Sequence, residues 1–263
     1  MHQIRGWRGQ DIVGARSRSS GDFWARDWRD LVLDTTGAIE NKARERAGRA
    51  GSWFDAEAFE LLRTVDSGCC YLQSIKSEDT VTWAAFGPRV GNAALNSGLD
   101  RAFGSASRPQ EWNRSLWRRW PHPETGKAQN GPEPDAVLIN APWCYVVEAK
   151  WLADLDDTQG SDGGLGQMIL RAEIAKSEGP DPLRRGVLIV VPGPSRYPHA
   201  RAGAFANYFE VSGESYRPRA RAAELGAGIV TWEELIDAIE AAQGSCEVVD
   251  YLRWRLAAID NPP

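Results

Sequence analysis

Residues 134–150 read PDAVLINAPWCYVVEAK, two apolar runs joined by a short connector. The first run, Asp135–Ile139, opens with an acid, and the second, Cys144–Lys150, closes with an acid and a lysine. The connector, Asn140–Pro142, has residue types that are common in turns. The passage predicts a β-hairpin whose charged side chains gather at the end away from the turn.

The spacing of these charged residues is typical of a divalent-metal site with a lysine beside it. Strand side chains alternate between faces, so Glu148 and Lys150 share a face, and antiparallel pairing brings Asp135 toward both. Two carboxylates offer the hard oxygen ligands that Mg²⁺ and Mn²⁺ prefer. A lysine beside them can orient the attacking water or take its proton, and can offset phosphate charge. The alternative is a solvated strand edge with a surface ion pair, because acid-x-lysine triplets are common.

The sequence Pro134-Asp135, the hairpin, and then Glu148-x-Lys150 resemble the signature of the PD-(D/E)xK nuclease superfamily, also called restriction-endonuclease-like. The resemblance implies an α/β fold with a restriction-endonuclease-like mixed β-sheet flanked by helices, in the order αβββαβ. It also implies metal-dependent cleavage of phosphodiesters, with Mg²⁺ as the cofactor and Mn²⁺ as a substitute. By similarity, Asp135, Glu148 and the carbonyl of Ala149 would be metal ligands, and Lys150 would activate or position the water.

The chain downstream of the hairpin agrees with that core. A helical pattern begins near residue 165, and its apolar positions recur at helical spacing: Leu165, Met168, Ile169, Ala172 and Ala175. Many members of the superfamily carry a Gln on this helix and a Tyr four residues later. Here Gln167 matches, as a catalytic residue that positions substrate, and Arg171 replaces the Tyr as a substrate-binding phosphate contact. A solvated helix position is the alternative for Gln167. The apolar run Arg185–Val191 then predicts a buried central strand.

Two upstream segments supply further candidates. Ser77 is a predicted N-cap for a helix that runs to Phe86, and acids in the first turn suit the helix dipole. Because superfamily members often carry a carboxylate on such a helix, Glu78 is a candidate metal ligand, with helix capping as the alternative. Residues 111–120 alternate Arg and Trp and predict the first core strand, in which Arg118 is a candidate DNA contact. An edge strand with arginine stems over tryptophan faces is the alternative.

Length and composition limit the number of domains that the chain can form. The 263 residues, 42% of them hydrophobic, suit one large domain or one domain with an extension. We predict an N-terminal helical extension or accessory subdomain over residues 1–60, with helices at Asp27–Leu33 and Asp55–Leu62, and a nuclease domain over residues 61–263. Near the C-terminus the pattern predicts a strand and two helices, at Gly228–Trp232, Glu233–Glu240 and Val248–Ile259.

Several classes of protein are excluded by composition. No apolar run approaches membrane-spanning length and the N-terminus has no apolar signal region, which predicts a cytoplasmic protein without a membrane partner. The 4 cysteines lack C-x-x-C spacing, which argues against a disulfide framework or a zinc knuckle. The net charge of −5 argues against nonspecific polyanion binding by the whole surface but leaves room for a basic cleft.

The sequence therefore predicts a Mg²⁺-dependent deoxyribonuclease, with an endonuclease favoured, that acts on DNA in restriction, phage defence or repair by analogy with the superfamily. A homodimer is an open alternative to a monomer. One alternative function is a catalytically inactive nucleic-acid-binding or assembly module that retains the nuclease fold. Another is an unrelated carbohydrate- or phosphate-ester hydrolase that uses Asp135 and Glu148 as an acid/base pair, where Lys150 and Gln167 would have no natural role.

Overall fold

The computed structural model describes residues 2–16, 22–34, 39–42, 74–123, 125–129, 131–151, 167–191 and 226–260, with the side chains of 167–169 and 259–260 outside that description. The chain divides into two compact units, Met1–Ala85 with Ser245–Pro263, and Phe86–Gly244. The predicted boundary near residue 60 lies outside the described residues.

A five-stranded mixed sheet forms the centre of the second unit. Its strands lie in chain order: β4 (Asn113–Leu116), β5 (Ala136–Asn140), β6 (Trp143–Ala149), β7 (Arg185–Val191) and β8 (Ala227–Thr231). The pairs β4–β5 and β5–β6 are antiparallel, whereas β6–β7 and β7–β8 are parallel. The predicted hairpin and the predicted buried strand β7 are therefore confirmed.

Besides a short helical segment at residues 39–42, five α-helices accompany the strands in the described part of the chain. They are α1 (Glu78–Phe86), α2 (Asn92–Phe103), α3 (Gln167–Glu178), α4 (Trp232–Gln243) and α5 (Glu247–Asp260). Helix α3 lies in the connection between the parallel strands β6 and β7, as a parallel pair requires. The helices predicted near residue 165 and at the C-terminus are confirmed, as is an α/β class with a mixed sheet and flanking helices.

Helices cover both faces of the central sheet. On one face, Cys144 and Val146 of β6 pack with Ile174 of α3. On the other face, the ring of Phe103 at the end of α2 stacks near Tyr145, with ring centroids 4.9 Å apart. A Cβ at Gly228 of β8 would lie 2.7 Å from the Phe103 ring, so glycine is what allows this helix to approach. The sheet is thereby buried on both sides, which is why β6 and β7 are nearly continuous apolar runs.

The first unit corrects the predicted helical extension. Strands β1 (His2–Arg5), β2 (Asp11–Arg16) and β3 (Phe23–Ala25) form an antiparallel sheet. A turn with Gly9 at φ 74° joins β1 to β2, and only glycine adopts that conformation at little cost. Over residues 2–25 the prediction of helices was wrong, because a short alternation of buried and exposed residues gives a weaker sequence signal than the acidic and aromatic residues around it. The alternative, an accessory subdomain, stays a prediction.

Other predictions for this unit have mixed outcomes. Of the helix expected at Asp27–Leu33, only a 3-10 turn forms, at Trp28–Leu31, and Asp55–Leu62 lies outside the described residues. Helix α5 belongs to this unit, where the Tyr251 hydroxyl donates to the Leu31 carbonyl at 2.7 Å. No helix in the described ranges is long and apolar enough to cross a lipid bilayer.

Candidate functional site

The open end of the β5–β6 hairpin carries the acids. Asp135 directly precedes β5 and Glu148 lies near the end of β6, and the register sets Ala136 opposite Val147. The two acids therefore lie at the same end of neighbouring strands. A carboxylate oxygen of Asp135 accepts a hydrogen bond from the main-chain N–H of Ala149 at 2.7 Å, which fixes its side chain against β6.

Glu148 is held by two cationic side chains. It is 1% exposed. The Lys150 ammonium donates to its Oε1 at 2.6 Å, and Nε of Arg171 donates to its Oε2 at 2.7 Å. Lys150 and Arg171 are themselves buried, and a second guanidinium nitrogen of Arg171 donates to the Glu133 carbonyl at 3.1 Å. Both oxygens of one carboxylate are thus occupied by charge-assisted hydrogen bonds, which are the strong class.

Opposing effects set the pKa of Glu148. Burial raises it, because an ionised carboxylate loses its hydration. The positive charges of Arg171 and Lys150, with their hydrogen bonds, outweigh burial, so the pKa of Glu148 lies below its usual range. The carboxylate is therefore ionised at neutral pH, as its two cationic partners require.

Helix α3 places Arg171 against the sheet. Arg171 lies three residues before Ile174 and four before Ala175, and both of these pack in the cluster that contains Val146. Residues at these spacings share a helix face. The sequence predicts Arg171 as a phosphate contact, but the structure places its guanidinium inside the protein on Glu148. The spacing to Ile174 and Ala175 is the signal that could have revealed this.

The backbone of Lys150 is fixed on two sides. Its N–H donates to the Val190 carbonyl of β7 at 2.7 Å, and its carbonyl accepts from the Trp232 indole of α4 at 2.8 Å. The Trp232 ring meets Trp151 edge-on, with centroids 5.0 Å apart. Sequence reasoning missed Trp232 as a support for this strand end, because the indole comes from 82 residues further along the chain.

Segment 117–120 follows β4 and runs beside Asp135. The N–H of Trp117 donates to the Asp135 carbonyl at 3.3 Å, and Trp117 has φ 52°, a left-handed conformation that is uncommon outside glycine. This conformation ends β4 earlier than predicted. Arg118 is exposed and lies over the Trp120 ring, 4.9 Å from its centroid. Arg119 pairs with the Glu133 carboxylate at 3.2 Å.

The two remaining candidates occupy helix starts. Gln167 is the first residue of α3, and its side chain lies outside the description. Glu78 is in the first turn of α1, within the first unit. Both site roles stay predictions. The helix begins directly after Ser77, as predicted, but the Ser77 hydroxyl makes no capping hydrogen bond; instead the Ser77 carbonyl accepts from the Thr80 hydroxyl at 3.0 Å.

The donor chemistry at the hairpin end fits a small divalent cation. Asp135 and Glu148 supply carboxylate oxygens, and Ala149 would supply a carbonyl oxygen, all hard ligands of the kind that Mg²⁺ takes. An ion that binds through Glu148 has to share the carboxylate with Lys150 and Arg171, each of which donates one hydrogen bond to a different oxygen. Within the described ranges, no group of three or more His, Cys, Asp and Glu side chains is arranged to hold an ion.

Comparison of the chain with protein-family models, with curated proteins and with solved structures finds no match.

Proposed function

We propose that this chain is a metal-dependent DNA endonuclease whose site is the open end of the β5–β6 hairpin. The observation that carries the proposal is the grouping there of Asp135, Glu148 and Lys150, with the Lys150 ammonium 2.6 Å from Glu148. The element order also supports it: helix, three antiparallel strands, helix and parallel strand is the order αβββαβ implied by the PD-(D/E)xK resemblance.

The proposed roles follow from the contacts. Asp135, Glu148 and the Ala149 carbonyl would hold Mg²⁺, or Mn²⁺ in its place. When bound, the ion would supply stabilisation of the charge that develops on the phosphate and would make water a better nucleophile. The Ala149 N–H orients the Asp135 carboxylate for this role, and the strand pairing of β5 with β6 keeps the two acids together.

Lys150 has a separate proposed role. Its ammonium is a compact charge with three rotatable donors on a flexible stem. In the proposed reaction it turns from Glu148 toward the attacking water and the phosphate, where it orients the water and offsets negative charge. Its backbone hydrogen bonds to Val190 and Trp232 keep the start of this stem fixed.

Contacts with DNA are proposed for two residues. Arg118 is exposed and its guanidinium lies over the Trp120 ring, where a phosphate can reach it. Gln167, at the start of α3, would position the strand that is cut.

The deciding experiment incubates the purified protein with supercoiled plasmid and with linear DNA, in Mg²⁺, Mn²⁺ or EDTA. We expect nicked and linearised plasmid in either metal and intact plasmid in EDTA. Asp135→Asn and Lys150→Met should slow cleavage by about 100-fold or more. Glu178→Gln, an exposed carboxylate at the far end of α3, is the matched control and should cleave at the parental rate. Cleavage in EDTA, or parental rates in both site variants, would refute the proposal.

A second candidate function is a nucleic-acid-binding or assembly module that keeps the fold without catalysis. One observation favours it: both oxygens of Glu148 are already occupied by Lys150 and Arg171, and its side chain is 2% exposed. Such a module would bind DNA equally well in metal and in EDTA and would cut it in neither.

A further inference from the structure

Arg171 is fixed more firmly than a surface arginine. Its side chain is 5% exposed. Its guanidinium spans two acceptors in different segments, Oε2 of Glu148 on β6 at 2.7 Å and the carbonyl of Glu133 before β5 at 3.1 Å. The planar fork of an arginine is pre-organised for such a double contact, which a lysine does not reproduce. Arg171 therefore holds Oε2 of Glu148 in a fixed hydrogen bond.

We propose that Arg171 is a positioning residue that sets metal selectivity: it leaves Glu148 one oxygen for an ion, and so favours Mg²⁺ or Mn²⁺ over Ca²⁺. This inference rests on the proposed metal site. The oxygen that remains is Oε1, which faces the Lys150 ammonium. A lysine on a flexible stem can turn aside, whereas the Arg171 fork stays on Oε2.

The selectivity follows from how these ions bind. Ca²⁺ takes six to eight oxygen ligands and often binds both oxygens of one carboxylate, whereas Mg²⁺ is smaller, keeps several waters and binds through one or two carboxylates. A carboxylate with one oxygen held by a buried guanidinium still offers its other oxygen to the small octahedral ion. The guanidinium at Oε2 disfavours the two-oxygen contact that would help Ca²⁺. The positive charge of Arg171 also weakens the binding of any cation.

The test is isothermal titration of the metal-free protein with MnCl₂ and with CaCl₂, without DNA. Arg171→Met keeps an unbranched side chain and removes the fork. It should bind both ions more tightly and shift the ratio of the two dissociation constants toward Ca²⁺ by about tenfold or more, the scale on which groups behind the ligands change metal affinity. The control is Arg119→Met, the same change at an arginine that is 43% exposed and pairs with the Glu133 side chain. It should leave the ratio at the parental value.

The outcomes separate the two proposals. If the parent binds neither ion, the metal site is wrong and the selectivity inference falls with it. If the parent binds Mn²⁺ and Arg171→Met leaves the ratio unchanged, only the selectivity inference is wrong. A purely structural role for Arg171 would lower both affinities together. Should Arg171→Met fail to fold, Arg171→Lys keeps the charge without the fork, and it should shift the ratio in the same direction by a smaller factor. An unchanged ratio there overturns the inference.

Discussion

The two ends of the β5–β6 hairpin carry similar charged groups in different surroundings. At the open end, Glu148 and its two cationic partners are buried. At the turn end, Arg184 lies 5.5 Å from the centroid of the Trp143 ring and pairs with Asp181 at 3.2 Å, with side chains 47% and 35% exposed.

Water accounts for the difference between these ends. An exposed ion pair contributes little, because water solvates each partner nearly as well as the other partner does. A buried pair depends on every member, because removing one leaves a charge without compensation. The open end should therefore be sensitive to single substitutions and the turn end tolerant of them.

Removal of Glu148 is expected to have the largest effect. Glu148→Ala leaves the buried Arg171 guanidinium without the carboxylate that pairs with it and also removes a partner of Lys150, and should lower the free energy of unfolding by about 3–5 kcal/mol. Urea denaturation followed by tryptophan fluorescence measures this. A loss of less than about 1 kcal/mol, the range of an exposed pair, would mean that water reaches this end of the hairpin.

Removal of Lys150 should cost less. In Lys150→Met, Arg171 still compensates Glu148, and the loss of the charge-assisted hydrogen bond from Lys150 to Glu148 should cost about 1.5–3 kcal/mol. The same denaturation experiment applies, in EDTA so that no ion contributes. A cost equal to that of Glu148→Ala would show that Arg171 alone does not compensate the carboxylate.

The open end of the hairpin also shows which features the sequence predicts and which it does not predict. The hairpin, β7 and helix α3 follow from local patterns of apolar residues and turn residues, and these predictions are confirmed. The pairing of Arg171 with Glu148 joins residues 23 positions apart. It depends on where the crossover helix settles on the sheet, which local periodicity does not determine.

The N-terminal sheet was missed for a related reason. Strand β3 has 3 residues and β1 has 4. Strands this short carry little alternation, and their stability comes from packing with residues far along the chain, such as Trp254 of α5, whose indole donates to the Arg5 carbonyl at 2.9 Å.

Low pH should reduce the contribution of the Glu148 ion pairs at the open end to the free energy of unfolding. The pKa of Glu148 is lower in the folded protein than in the unfolded chain. Its stabilising contribution is thus complete above the unfolded value of about 4.3 and is lost as the pH falls through the folded value. Protonation removes the charge but keeps the side chain, so the effect should be smaller than deletion.

The measurement is the free energy of unfolding of the parent and of Glu148→Gln between pH 7 and pH 3 in EDTA. The parent's advantage should shrink as the pH falls below about 4.3. If burial outweighed the two cations, the folded pKa would be raised, and the parent would instead gain relative to the variant on acidification. A constant difference across this range would remove Glu148 as the titrating group.

The smallest effect is expected at the turn end, with Arg184→Ala. The variant loses an exposed pair with Asp181 and an exposed cation–π contact with Trp143, and should lose at most about 1 kcal/mol of unfolding free energy. Because salt screens exposed charges over about 3 Å at 1 M, the part that comes from Asp181 should fade in 1 M NaCl. The cost of Lys150→Met, from a pair whose side chains are only 9% and 2% exposed, should change little in the same salt. If salt changes the cost of the two substitutions equally, the difference in hydration between the ends of the hairpin does not explain the difference in their unfolding free energies.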